Sequence, residues 1–245
     1  MELYTGTSGF SYKEWRGPFY PEDLSSDEML AWYGSRLSAV EINNTFYRMP
    51  KDSVLDGWAG EVPAGFRFSI KASRKITHFG RLKPDTEDAT AYLVNTVGTL
   101  RERLGALLFQ LPPNFKADRP LLEAFLGRLP EGLPVAFEFR HDSWWDDAVH
   151  DLLRERGVAR VVADTDDDEE DAPVAPTTDW GYLRLRRSDY GAGDLDRWAQ
   201  RLRDLEWTRA YVFFKHEDEG AGPRLAMRFR ERFEGEGGAE SPAPS

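Results

Sequence analysis

The sequence predicts a single (β/α)8 barrel of the TIM type, occupying residues 1–233 and followed by a short tail. Three observations carry that expectation. The strand candidates are short and apolar along their whole length, as in a parallel sheet covered on both faces. Helical segments separate them. About eight such units fit into the first ~230 residues, the arithmetic of a closed barrel. A doubly wound open sheet is the rival architecture, weakened because the first strand is not followed by a G-x-G-x-x-G turn.

In chain order, Leu3 to Ser8 reads as the first strand, ending at Gly9. A loop from Phe10 to Leu24 carries Tyr12, Trp15, Phe19 and Tyr20, aromatics that must either cap a core or line a pocket. Ser26 caps a helix through Leu37, and Ala39 to Asn43 is the second strand. Asp52 opens the next helix; Phe66 to Lys71 is the third strand, and a loop with Thr77, His78 and Arg81 follows. Helical spacing runs from Glu87 to Leu104 and stops at Gly105. Ala106 to Gln110 is the fourth strand and Val135 to Phe139 the fifth, with a helix marked by Leu121 to Leu126 between them. Helix Ala148 to Arg156 leads to a sixth strand, Arg160 to Asp164. The helix due next is weak or missing, replaced by an acidic run from Asp166 to Asp171 that reads as a solvated loop. Gly181 to Leu185 and Ala210 to Phe214 are the last two strands, followed by helices Leu195 to Leu205 and Arg224 to Phe233. Residues 234–245, rich in Gly, Ser, Pro and Glu, read as a disordered tail.

The composition excludes several functions. There is no cysteine among the 245 residues, so no disulfide, thiolate metal site or cysteine nucleophile exists. No apolar run approaches a membrane span and the start lacks a signal-peptide pattern, which makes the cytoplasm the expected location. A net charge of -11 opposes general affinity for nucleic acid or anionic membranes.

In a barrel the carboxyl ends of the strands converge on one face, where the site is expected. Here those ends are polar and the opposite ends are not. They supply Thr7 and Ser8, Glu41 and Asn43, Lys71, Gln110, Glu138 with Arg140 and His141, Asp164, Arg184 with Arg186, and Lys215 with His216. His141, Glu138, Glu41 and Asp164 are the acid/base candidates, His141 by its intrinsic pKa. Glu41 and Glu138 have an equally natural role as partners of a buried cation such as Lys71 or Arg184. Lys71, Arg140, Arg184, Arg186 and Lys215 would gather cations at one mouth of an acidic protein, which favours an anionic ligand. Asn43, Gln110, His78 and His216 add polar contacts; Trp15, Tyr47, Trp144 and Trp145 are candidates for ring stacking or for core. No H-x-H or H-x-x-x-H spacing exists, so no metal site is assigned, and no cofactor is identified.

Four motifs in order carry a family resemblance: Gly6-Thr7-Ser8-Gly9-Phe10-Ser11-Tyr12 with Trp15, Gly17, Phe19 and Tyr20; Val40 to Tyr47 with Pro50; Phe109-Gln110-Leu111-Pro112-Pro113; and Phe137 to His141 with Ser143-Trp144. From about residue 3 to about residue 232 the chain resembles the YecE-like domain-of-unknown-function family, DUF seventy-two. The resemblance implies a TIM-type barrel and no established activity. A distant likeness of that barrel to endonuclease IV-type enzymes is fold-level analogy only. Many members end the seventh strand in Arg-x-His-Gly and the eighth in an Asn-rich segment. This chain has Arg184-Leu185-Arg186-Arg187 and Lys215-His216-Glu217-Asp218 instead.

The functional expectation is a small phosphate-bearing ligand, a nucleotide, nucleic-acid or sugar-phosphate group, bound and acted on at the barrel mouth. Arg140, Lys71 and Arg184 would hold the anion while His141 and Glu138 or Glu41 move protons. The alternatives are a non-catalytic nucleic-acid-binding module and glycoside hydrolysis by Glu41 and Glu138, which needs the carboxyl groups about 5 to 9.5 Å apart. Oligomeric state is not readable from the sequence.

Overall fold

A computed structural model describes residues 1–166, 172–215 and 220–235. Nine parallel strands form one sheet: β1 (Glu2–Ser8), β2 (Ala39–Ile42), β3 (Arg67–Lys71), β4 (Leu104–Gln110), β5 (Val135–Glu138), β6 (Ala159–Arg160), β7 (Val162–Asp164), β8 (Trp180–Leu185) and β9 (Arg209–Phe214). Their order is β6-β5-β4-β3-β2-β1-β9-β8-β7. Only Val161 separates β6 from β7. The single strand expected at 160–164 therefore breaks in two, its first half pairing with β5 and its second with β8, and so nearly closes the barrel. Helices α1 (Met29–Gly34), α2 (Asp52–Glu61), α3 (Glu87–Val97), α4 (Arg119–Leu126), α5 (Asp147–Glu155), α6 (Ala192–Arg203) and α7 (Ala221–Gly235) lie in the connections and after β9.

Strand alternation sorts the core into two shells. Tyr4, Ala39, Ala106, Leu108, Ala136, Ala159, Val161, Trp180, Tyr182, Tyr211 and Phe213 fill the barrel interior. The intervening strand residues, among them Val40, Ile42, Ile70, Leu107, Phe109, Phe137, Leu183 and Leu185, pack outward against the helices. Both strand faces are dry, which is why the strands read as unbroken apolar runs. Gly6 marks a close approach: a Cβ there would stand 1.8 Å from the Ala39 carbonyl oxygen on β2. Gly6→Ala must push β1 from β2, and such overpacking costs about 1–3 kcal/mol. The expected loss in thermal midpoint is roughly 2–12 °C by calorimetry.

The aromatic loop after β1 is core: Trp15, Phe19 and Tyr20 are buried, with Trp15 and Phe19 edge to face at 5.9 Å, and Tyr20 OH donates to the Phe10 carbonyl at 2.6 Å. The helix expected over 87–104 ends as α3 at Val97. A 3-10 segment, Gly98–Arg103, follows, with Arg101 at φ 50°, and turns the chain directly into β4. Among the described residues no helix stands between β7 and β8. Asp167 to Asp171 of the acidic run, and residues 236–245 of the tail, lie outside the described residues.

Candidate functional site

The polar strand ends meet as a hydrogen-bonded layer across the top of the barrel. Register fixes which residues share the interior: Ser8 pairs with Glu41, Gln110 with Glu138 and Ala163 with Arg184. Arg184 lies at the centre, donating from Nη2 to Glu41 Oε1 at 2.9 Å and from Nη1 to Glu138 Oε2. Glu41 also accepts from Ser8 Oγ at 2.9 Å, Asn43 Nδ2 at 3.0 Å and Tyr182 OH at 2.7 Å. Glu138 accepts from Gln110 Nε2 at 2.8 Å, and Gln110 Oε1 accepts from Lys71 Nζ at 2.7 Å. Glu41, Glu138 and Arg184 are buried, so the triad is the floor of the mouth.

Burial alone would raise both carboxyls, but Arg184 and the hydrogen bonds outweigh it. Glu41 is held at about 2, and Glu138 below the usual carboxylate range. Both are therefore ionised at neutral pH, and neither is a general acid there. Arg184 follows the opposite logic: burial disfavours its charge, and the two carboxylates more than restore it. Arg184, expected to hold a ligand anion, has its charge matched inside the protein by Glu41 and Glu138. The expected Glu41 and Glu138 proton carriers become partners of that buried cation. Because Glu41 has a folded pKa below its unfolded value of 4.5, its stabilisation is full above about 4.5 and drains as pH falls toward about 2. Urea unfolding of Glu41→Gln against pH should be flatter across that window than that of the parent protein.

Above the floor the cations are accessible. Lys71 Nζ sits 4.5 Å over the Phe46 ring, and Arg186 Nη1 stands 4.0 Å from Glu138 Oε1 with a side chain that is 23% exposed. Burial, and then the Arg184 charge, bring Lys71 down to about 8 and lower Arg186 as well. His78, in a π-helical turn, Lys75–Phe79, packs edge-on to Phe46 at 4.8 Å and meets Thr77 Oγ1 at 2.9 Å. Phe46 is thus shared by His78 and Lys71, and burial first, then the charges of Lys71, Arg140 and Arg81, push the His78 pKa down. Arg140 is exposed at the rim, and its charge also reaches Arg186. Tyr47 is 66% exposed and lies under the Arg74 guanidinium at 5.1 Å. Lys215 is exposed where β9 ends.

Other candidates fall elsewhere. Asp164 pairs in register with outward-facing Leu185 and is held by Tyr190 OH at 2.7 Å and Arg187 Nη2 at 2.9 Å. Those partners place it between sheet and helix layer, away from the mouth. Trp144 is fully buried, stacked on Phe139 at 4.7 Å with Nε1 donating to the Phe115 carbonyl at 2.6 Å. It is core, while its neighbour Trp145 is 47% exposed. His141 Nδ1 accepts from Ser143 N at 3.1 Å as the cap of a short 3-10 turn, Asp142–Trp144. With Nδ1 engaged as acceptor, the neutral ring presents Nε2–H as a hydrogen-bond donor. His150 of α5 is buried against Trp145. His216 lies outside the described residues.

Sequence reasoning missed Tyr182, Phe46 and Arg160. Tyr182 was signalled by its two-residue spacing from Arg184, which puts both on one strand face. Nothing in the sequence marked Phe46 as the ring beneath Lys71. Among the described residues no three His, Asp or Glu side chains gather into a metal-binding group. No helix among them is long and apolar enough to cross a membrane.

The model of the protein of unknown function DUF72 family matches residues 4–245. The chain belongs to the DUF72 family. The UPF0759 protein YecE of Escherichia coli strain K12 is 30% identical over 139 residues, 54% of this chain and 51% of that protein. The match thus spans about half the length of the curated relative. A DUF72 family protein from Thermotoga maritima superposes with a TM-score of 0.81 at 27% identity, covering 96% of this chain and all of that one. A DUF72 family protein from Enterococcus faecalis gives 0.79 at 18% identity over 95% of each chain. The last similarity speaks to the fold alone. DUF72 membership and the parallel barrel agree with the sequence reading; neither names a ligand.

Proposed function

We propose that the barrel mouth binds a small phosphate-bearing ligand through Lys71, Arg186 and Arg140. The observation that carries this reading is the crowding of cations there. Lys71 and Arg186 are half-buried beside Arg184, whose charge is already matched by Glu41 and Glu138. Burial first, and then the Arg184 charge, lower Lys71 and Arg186 against the pull of Glu41 and Glu138, a cost that a bound anion relieves. Asn43 adds a buried Oδ1 without a hydrogen-bond partner, an acceptor for a ligand hydroxyl. Lys71, brought down to about 8, is suited to exchange a proton near neutral pH. The carboxylate-pair glycosidase reading loses support, because both carboxylates are ionised and tied to one guanidinium. The net charge of -11 favours a compact ligand over an extended nucleic acid.

Calorimetric titration with ribose phosphate across pH tests the reading. Anion binding favours protonated Lys71, so affinity should be highest below about pH 8 and fall above it. The same lowered pKa makes protonated Lys71 unfavourable in the free protein, so its contribution to stability improves as pH rises from about 8 toward 10.5. Lys71→Met should flatten both profiles. Absence of binding at every pH would discard the reading.

A further inference from the structure

The mouth does not end at Arg140. Beyond it a cavity of about 550 Å³ opens at the ends of β5, β6 and β7, lined by Arg140, His141, Asp142, Trp145, Arg160 and Ala163 among others. That is within the usual range of small-molecule sites, roughly 300–1,000 Å³. Two features set it apart from a surface dent. One is the exposed indole of Trp145, held in place by the Arg160 guanidinium 4.3 Å from its centroid and by the edge of His150 at 5.2 Å. The other is Arg160 itself. It donates from Nη1 to the Trp144 carbonyl at 3.0 Å and lies 5.1 Å over Phe139. Among the described residues no carboxylate pairs with it, and burial alone brings its pKa down to about 10. A fixed indole flanked by guanidinium donors is a platform for a planar ring, because stacking and cation–π attraction act together there. The Asp142 carboxylate and the His141 Nε2–H supply an acceptor and a donor of the kind that base edges require. Arg140 lines the cavity and stands exposed at the rim of the mouth, and Ala163, which also lines it, pairs in register with Arg184 of the floor.

We propose that this cavity is the base-binding subsite of the mouth, so that the ligand is a nucleotide. Its heterocycle lies against Trp145, and its phosphate reaches past Arg140 to Lys71 and Arg186. This rests on the phosphate reading and adds to it the chemical class of the ligand. Base stacking on an aromatic side chain changes affinity by roughly tenfold or more.

The test is calorimetry on the full chain with AMP, UMP and ribose phosphate, using the parent protein, Trp145→Ala and the double variant Lys71→Ala/Arg186→Ala. Circular dichroism and thermal melts confirm that each variant is folded; the exposed position of Trp145 makes its truncation tolerable. The expected result is that at least one nucleotide binds about tenfold or more tightly than ribose phosphate. Trp145→Ala should remove that advantage and leave ribose phosphate binding unchanged, while the double variant loses both. Equal affinity for nucleotides and ribose phosphate, or a nucleotide advantage that survives Trp145→Ala, overturns the base subsite and leaves the phosphate reading standing. No binding of any of the three by the parent protein overturns both.

Discussion

Replacing Arg184 by Met destabilises the protein by about 3–5 kcal/mol, because it leaves two buried carboxylates facing each other without their cation. For a chain of this length the thermal midpoint is expected to fall by on the order of 10 °C. The loss arises from unpaired charge rather than from missing volume, and that distinction can be measured. In the triple variant Arg184→Met/Glu41→Gln/Glu138→Gln the carboxylates are gone as well, and much of the stability should return. Calorimetric melts of the single and triple variants decide the matter. A single variant as stable as the parent would show that the triad is not the electrostatic floor of the barrel.

The second large effect concerns binding. Lys71→Glu reverses a charge in contact with Gln110 and close enough to Arg184 to feel its field. Affinity for ribose phosphate is expected to fall by at least a hundredfold, since a charge-assisted contact worth about 1.5–3 kcal/mol is lost and a repulsion replaces it. Lys215→Glu, at an exposed position on the same face, should change affinity only modestly and in a salt-dependent way. Titration of both variants at two salt concentrations separates a specific contact from a diffuse field. Equal losses in the two variants would assign the effect to the field.

The barrel was legible because its strands and helices are bounded by local chemistry: apolar runs, caps and glycine turns. Even the break at Val161 leaves the sixth strand where the sequence puts it. The polar strand ends were legible for a related reason, since alternation fixes a face once the strand is known. That is how Glu41, Asn43, Lys71, Gln110, Glu138 and Arg184 could be grouped before any coordinates. Their division of labour could not be read, because it depends on which side chains meet across the barrel. Arg184 meets two carboxylates 143 and 46 residues away in sequence, pairings that no local pattern announces. Asp164 was misplaced for a simpler reason: it is one residue past Ala163, so it faces the helices instead of the interior. Of the two adjacent indoles, Trp144 fills a gap beside Phe139 and Phe115 while Trp145 stays at the surface, a choice made by packing that a dipeptide does not encode.

The central claim is that the cations gathered at the mouth hold an anion. Its most direct measurement is a crystal structure of the protein grown or soaked with selenate, a tetrahedral oxyanion, with anomalous difference density used to locate the selenium. The account predicts a peak within hydrogen-bond reach of Lys71 and Arg186, lost in Lys71→Met. A mouth without selenate, with peaks only on surface arginines elsewhere, would contradict it.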